Sequence, residues 1–194
     1  MKKEEYIYDP VNGFIAKGSL PEPYHNGLNF KEIHPLLRAL LVTDGTVTKF
    51  LEAYLWEPIQ VQRLMQGDTV LTEDLPWLDL SRGAAVLKRQ VLLRGLYTGR
   101  IYTFAESYIR TDRLWDGLRE ELLQGRLGVG ELLRDRRMET YRELLTYGRE
   151  EVGALASVLG LSPRLPLLYR SYRIYNKRLP TILITEKFME HHFK

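Results

Sequence analysis

From Leu36 onward the apolar positions recur at helical spacing. Leu36, Leu37, Leu40 and Leu41 fall on one face, Asp44-Gly45 interrupts, and Val47, Phe50, Leu51, Tyr54 and Leu55 resume the pattern between Thr46 and Trp56. Two successive helices are predicted, the second ended by Pro58, which cannot continue one. After Pro58 the period drops to two. Residues 59–66 alternate, with Ile59, Val61 and Arg63 on one side, and predict a strand. Residues 68–83 carry Pro76, several acids and Gly83, which suits a connection. Residues 84–94 and 100–110 flank a short loop from Gly95 to Gly99, and together they predict a β-hairpin. A helical pattern returns over 112–123, with Asp112 placed as its cap. The stretch 138–147 favours helix by propensity, because Met, Glu, Arg and Leu dominate it. Residues 151–160 are helical and small-sided, and Pro163 and Pro166 then break the chain. Two final strands, 168–176 and 181–188, are joined by a turn from Lys177 to Pro180. Hairpins with helices interspersed predict an α+β domain built on a mainly antiparallel sheet. The first 30 residues are rich in Pro, Gly, Asn and Tyr and read as an irregular lead-in (1–30) to a single domain over 31–194.

The alternation also exposes two misplaced charges. One face of the strand 84–94 carries Ala85, Leu87, Arg89, Val91 and Leu93, so Arg89 interrupts an apolar row. One face of the strand 181–188 carries Ile182, Ile184, Glu186 and Phe188, and Glu186 interrupts that row in the same way. If both faces meet the core, a cation and an anion point into the interior, where an unmatched charge costs several kcal/mol. Two readings follow from the pattern alone: a structural ion pair between Arg89 and Glu186, or a cavity whose anionic ligand partners the arginine. Arg170 and Arg173 add cationic density nearby. Three apart in a strand, they lie on opposite faces, so at most one can share a cavity with Glu186, and either suits the surface.

Composition narrows the function classes. The chain of 194 residues is 44% hydrophobic and 11% aromatic, enough for one ordinary domain with a real core. Lys plus Arg is 28 and Asp plus Glu is 25, a net charge of +3, and the signs alternate, as in Arg119-Glu120-Glu121 and Arg149-Glu150-Glu151. That is a solvated surface, not the concentrated basic stripe of a nucleic-acid binder. With no cysteine, disulfides, thiolate zinc sites and a cysteine nucleophile are excluded. The four histidines are His25, His34, His191 and His192. Side by side on an extended tail, the last two would face opposite ways, so no metal site is expected. No Gly-x-Ser-x-Gly elbow and no serine–histidine–acid set occurs. The start, MKKEEYIYDP, lacks the apolar core of a signal peptide, and no run of ~18 apolar residues is present, so a cytoplasmic protein without a membrane span is expected.

The residues then match a family. Arg173 to Phe188 (RIYNKRLPTILITEKF) resembles the final hairpin of chorismate pyruvate-lyases, in which a Pro-containing turn leads to an aliphatic strand ending in Thr-Glu-x-Phe, here Thr185-Glu186-Lys187-Phe188. Lys88-Arg89-Gln90-Val91-Leu92-Leu93 resembles the family's Arg-x-aliphatic-Leu-Leu strand, and Ile101 to Ile109 its hairpin partner. Leu127 to Leu133 (LGVGELL) resembles the segment in which a small apolar residue and a glycine cover the ligand. The helices from Leu40 to Phe50 match, with Asp44 and Thr48-Lys49 in order, although Asp44-Gly45-Thr46-Val47 is one residue longer than the pattern. Glu139-Thr140-Tyr141-Arg142 is similar to a stretch of the cyanobacterial, archaeal and mycobacterial branch. The resemblance covers about residues 35–193.

The resemblance implies a chorismate lyase-like α+β fold, with helices flanking and covering a buried pocket, and makes 138–147 a strand against its propensity. It implies a lyase that converts chorismate to 4-hydroxybenzoate and pyruvate without cofactor or metal, as a monomer. Arg89 falls on the arginine that binds the benzoate carboxylate and Glu186 on the active-site glutamate. Val129, before Gly130, falls on the flap, and Val47 or Thr46 on the residue from the helix pair. Leu87 and Ile184 would join Val47 and Val129 in lining the slot. The chemistry suits these residue types. Arginine's planar fork binds a carboxylate through two charge-assisted hydrogen bonds, and a glutamate in an apolar pocket would stay protonated near neutral pH, ready to meet the ring hydroxyl or the leaving ether oxygen. A second cation should meet the enolpyruvyl carboxylate, with Arg173 and Arg142 as candidates. The alternative is a non-enzymatic domain that binds an aromatic acid, since bacterial regulators sense small molecules with a similar fold. Those carry a winged helix ahead of it, for which ~30 residues are too few.

Overall fold

The computed structural model describes residues 6–9, 14–17, 28, 32–115, 117–124 and 128–193. Within the lead-in, β1 (Tyr6–Asp9) and β2 (Phe14–Lys17) pair antiparallel as a sheet of their own. This departs from the irregular segment expected there. The rest of that segment, His25 included, lies outside the described residues except Leu28.

The two predicted helices follow as α1 (Pro35–Val42) and α2 (Val47–Leu55). Pro35 occupies the first turn of α1, where a missing N–H costs nothing, and His34 Nδ1 accepts from the backbone N–H of Leu36 at 3.2 Å. Trp56 ends α2 in the left-handed region at φ 57°. Next to it, the Glu57 carboxylate is buried and accepts from the N–H groups of Tyr97 and Thr98 and from the hydroxyls of Thr98 and Tyr102. These bonds tie the end of α2 to the loop of the next hairpin. Gly95 permits the approach, since a Cβ there would collide with the Glu57 carboxylate.

Six strands make the main sheet: β3 (Ile59–Val70), β4 (Ala85–Gly95), β5 (Ile101–Ile109), β6 (Tyr141–Glu151), β7 (Pro166–Asn176) and β8 (Leu179–Phe188). Their order is β3-β4-β5-β8-β7-β6, and every neighbouring pair is antiparallel. Two meanders, β3-β4-β5 and β6-β7-β8, therefore meet at the β5–β8 seam. The α+β class and the hairpins follow the sequence pattern. β6 confirms strand over helix for most of 138–147, because pairing to β7 outweighs a weak propensity.

Between β5 and β6, the single helix expected over 112–123 is replaced by two pieces. A 3-10 turn covers Thr111–Arg113, and α3 (Leu118–Gln124) starts after Gly117, whose φ of 75° is incompatible with a continuous helix. Asp112 is not a helix cap: its carboxylate takes the Arg110 guanidinium at 2.7 and 3.2 Å. α4 (Val129–Asp135) follows, with the Glu131 side chain accepting from the Gly128 N–H. Between β6 and β7 lie a 3-10 turn, Gly153–Leu155, and α5 (Ala156–Leu159), which end at Gly160. The C-terminal end is not an extended tail. Glu190–His192 form a 3-10 turn, the His192 ring stands edge-on to Tyr102 at 5.6 Å, and Phe193 is buried.

Strand alternation divides the core. One face of the sheet takes α1 and α2 at one end, where Leu36, Leu37, Leu40, Leu41 and Leu51 pack on Leu93, Tyr147, Leu168 and Phe188. At the other end the same face takes α3 and α4, where Leu118, Leu122, Leu132 and Leu133 pack on Leu87, Ile109, Ile174 and Ile182. The opposite face carries Leu92, Phe104 and Leu167 under the segment from Val152 to Leu165. The two helix pairs approach each other over the middle of the first face, and the candidate site lies beneath their junction.

Candidate active site

The cavity has the inner sheet face as its floor. Arg89, Val91 and Leu93 come from β4, Ala105 and Ser107 from β5, Ile184 and Glu186 from β8, Tyr172 from β7 and Arg142 from β6. Its roof is the end of the α1–α2 connection and the first turn of α2, residues 45–48, together with Gly128, Val129 and Gly130 at the start of α4. The two roof segments touch, for a Cβ on Gly130 would lie 3.4 Å from Thr46 Cγ2. The cavity is narrow, with a volume of about 50 Å³, below that of a typical small-molecule pocket. The inner row of β5 explains the space: Ala105 and Ser107 are small where Thr103 and Ile109, on either side, are larger.

Arg89 and Glu186, picked out by alternation, both line this cavity, 2% and 6% exposed. Arg89 sits opposite Ser107, and Glu186 opposite Ala105, so two strand spacings and two residues separate them. At ordinary strand dimensions their Cα atoms are about 12 Å apart. Burial, and then the charge of Arg63, push the Arg89 guanidinium down to about 10, which leaves it a cation at neutral pH.

The ion pair of Glu186 runs the other way along the floor. Arg170 Nε donates to Glu186 Oε2 at 2.7 Å, with side chains 3% and 8% exposed, and the Tyr172 hydroxyl donates to Oε1 at 3.3 Å. Arg170 also donates to the Thr43 carbonyl at 2.7 Å and stacks over the Tyr172 ring at 4.9 Å. Burial first, then the neighbouring Glu186 charge, raise the Tyr172 phenol well above its usual range, so it stays a proton donor. Glu186 therefore accepts hydrogen bonds on both oxygens in a polar clamp, instead of standing in the apolar surroundings that the sequence suggested.

Of the other expected residues, Val47, Thr46, Val129, Gly130 and Ile184 line the cavity. Leu87 is on the same face but lies deeper, under α3 and α4. Leu127 falls outside the described residues. Arg173 is a correction. It donates to Glu143 at 2.6 Å and to the Trp77 carbonyl, and it is not among the cavity residues. The reason is register. A turn over 177–180 would set Arg173 opposite Ile184, on the face of Glu186. The actual turn is only Lys177-Arg178, both at positive φ, with a bulge between Ile174 and Tyr175. A one-residue shift exchanges the faces, and Arg170 sits opposite Glu186 instead. Sequence reasoning therefore missed Arg170, Tyr172, Ala105 and Ser107. Arg170 carried the same signal as Arg89, a cation in the apolar row Leu168, Tyr172, Ile174. Among the described residues, no cluster of three or more metal-ligating side chains occurs, and no helix is long and apolar enough to cross a membrane.

Comparison with known proteins adds the lineage. The family model described as "Chorismate pyruvate-lyase Rv2949c-like" matches residues 41–193, most of the chain. The chain belongs to this lyase family. Chorismate pyruvate-lyase of Mycobacterium leprae is 29% identical, over 86% of this chain and 81% of that one. Chorismate pyruvate-lyase of Mycobacterium tuberculosis is 28% identical, over 86% and 87%. Solved structures with the same fold include the effector domain of PhnF from Mycobacterium smegmatis, at a TM-score of 0.60 and 18% identity over 77% of this chain and 91% of that one. The ligand-binding domain of a GntR-family regulator from Bordetella bronchiseptica has a TM-score of 0.51 and 14% identity, over 67% and 83%. At such identities these structures speak to the fold alone. The family match spans all the floor and roof of the cavity, from Leu41 to Phe193.

Proposed function

We propose that this member of the lyase family converts chorismate to 4-hydroxybenzoate and pyruvate within the cavity. The observation that carries the reading is the floor itself: a buried arginine and a clamped glutamate stand on either side of small residues, Ala105 and Ser107, under a roof that includes Val47 and Val129. Arg89 takes the ring carboxylate through its planar fork. The ring lies over Ala105 and Ser107, between Val47 and Val129. Glu186, an acceptor held in place by Arg170 and Tyr172, takes the hydrogen bond of the ring hydroxyl at the far end.

The reaction balances without another reactant. The bond between the ring carbon and the ether oxygen breaks, and that oxygen leaves with the electron pair as the enolate of pyruvate. The carbon bearing the hydroxyl loses its hydrogen as a proton, and the released pair completes the aromatic ring. A proton returns to the three-carbon fragment to give pyruvate. Aromatisation supplies the driving force, so the residues need only orient the dianion, exclude water and hold the hydroxyl. Fixed dipoles in a water-poor site are effective at this.

The test is the reaction. Purified protein with chorismate should give 4-hydroxybenzoate and pyruvate, and Glu186→Gln should lower turnover more than it lowers affinity for 4-hydroxybenzoate. Tight binding of 4-hydroxybenzoate with no turnover of chorismate would replace this reading with that of a non-catalytic ligand-binding domain.

A further inference from the structure

A dianionic substrate needs a second cation, and the cavity has one outside the roles described so far. Arg142 lies on the edge strand β6, opposite Ile174 of β7, and reaches the cavity beside Gly45 and Thr46. One arm of its guanidinium donates to the Asp44 carbonyl in the roof. Its Nε is buried and has no hydrogen-bond partner among the described residues. A buried donor left unmatched is costly, so one facing a cavity is suited to a ligand acceptor. The two arginines of the neighbouring strand β7 are occupied: Arg170 by Glu186 and Thr43, Arg173 by Glu143 and Trp77.

The strand order gives the cavity a direction. Arg89 on β4, Glu186 on β8 and Arg142 on β6 come in that sequence across the sheet; along the strands Glu186 is level with Val91 and Arg142 with Leu87, two residues to either side of Arg89. Four strand spacings, about 19 Å, separate β4 from β6. Two arginine side chains reaching inward from those strands leave a gap the size of one small ligand. A substrate with its ring carboxylate at Arg89 and its hydroxyl at Glu186 extends any further acidic arm toward β6.

We propose that Arg142 binds the second carboxylate of the substrate, the one carried by the arm that leaves. This assignment rests on the reading of the cavity as a chorismate site. Its consequence is a division of labour between the arginines. Arg89 contacts a group that substrate and aromatic product share. Arg142 contacts a group that only the substrate has, so it favours substrate over product and lets the product go.

The experiment compares two ligands. Arg142→Gln should raise the KM for chorismate by about 10- to 100-fold, the usual effect of losing a charge-assisted pair, while the Kd for 4-hydroxybenzoate stays within about twofold of wild type. Arg142→Lys keeps the charge without the fork and should recover part of the loss, which also serves if the glutamine variant folds poorly. An unchanged KM in both variants overturns the assignment. So does a parallel loss of 4-hydroxybenzoate affinity, which would mark Arg142 as a support for the roof through Asp44. If the wild-type protein does not turn over chorismate, the lyase reading fails, and the chorismate Kd from calorimetry then replaces KM. Selective loss of chorismate binding would still uphold the second anion site.

Discussion

Replacing Arg170 by methionine isolates what the Arg170–Glu186 pair does. The pair is 2.7 Å long and almost fully enclosed, at 3% and 8% side-chain exposure. Methionine fills much of the same volume but leaves the Glu186 carboxylate in the interior with only the Tyr172 hydroxyl among the described residues, and it removes the bond to the Thr43 carbonyl. Removing one partner of a buried pair costs about 3–5 kcal/mol, since the remaining charge keeps its desolvation penalty. With a urea dependence of about 2 kcal/mol per molar, the unfolding midpoint should fall by about 2 M. Adding Glu186→Gln removes the stranded charge, so the double variant should regain at least about 1.5 kcal/mol over Arg170→Met alone. Urea titrations of the wild type, both single variants and the double variant complete the cycle. A loss below about 1 kcal/mol for Arg170→Met, or simple additivity in the double variant, would refute the view that Arg170 holds Glu186 as a buried carboxylate.

Other consequences follow from the same geometry. Arg89→Ala should weaken 4-hydroxybenzoate by about 100-fold in calorimetry, with Arg89→Lys in between because it offers a charge but no fork; equal affinity in all three proteins would remove Arg89 from the site. Ala105→Leu projects into the space over the floor, and should cut 4-hydroxybenzoate affinity at least about tenfold while thermal stability changes little, because the added atoms enter a cavity instead of packed core; a large drop in Tm would show that the space is not available. Burial, with the charges of His191 and Arg100, pushes His192 down to about 4 from 6.5. Between those values the unfolded chain takes a proton that the fold refuses, so stability should fall as pH drops through that window. His192→Gln should lose less stability than wild type from pH 7 to pH 5, and parallel urea midpoints would contradict this.

The residues differ in how far they were legible from sequence. Arg89 and Glu186 stand out because each is a charge in a strand whose other inward positions are apolar, and alternation is a local property of the chain. The hairpins were legible for the same reason. Arg170 and Arg173 were not separable, because the choice between them depends on a one-residue register set by the Lys177-Arg178 turn and the bulge beyond it. The split of the 112–123 helix hangs on one glycine at positive φ. β6 could not be read from propensity, since its strand character comes from pairing with β7 and its own composition favours helix. The meeting of β5 and β8, which brings Ala105 opposite Glu186, is a product of topology that no local pattern encodes.

The measurement that tests the central claim most directly is a stoichiometric one. Purified protein at micromolar concentration is mixed with excess chorismate, and 4-hydroxybenzoate and pyruvate are quantified separately over time. Equal amounts of the two products, formed in proportion to enzyme and lost together in Arg89→Ala and Glu186→Gln, are the expected result. Absence of both products above the spontaneous background, or undiminished rates in both variants, would contradict it.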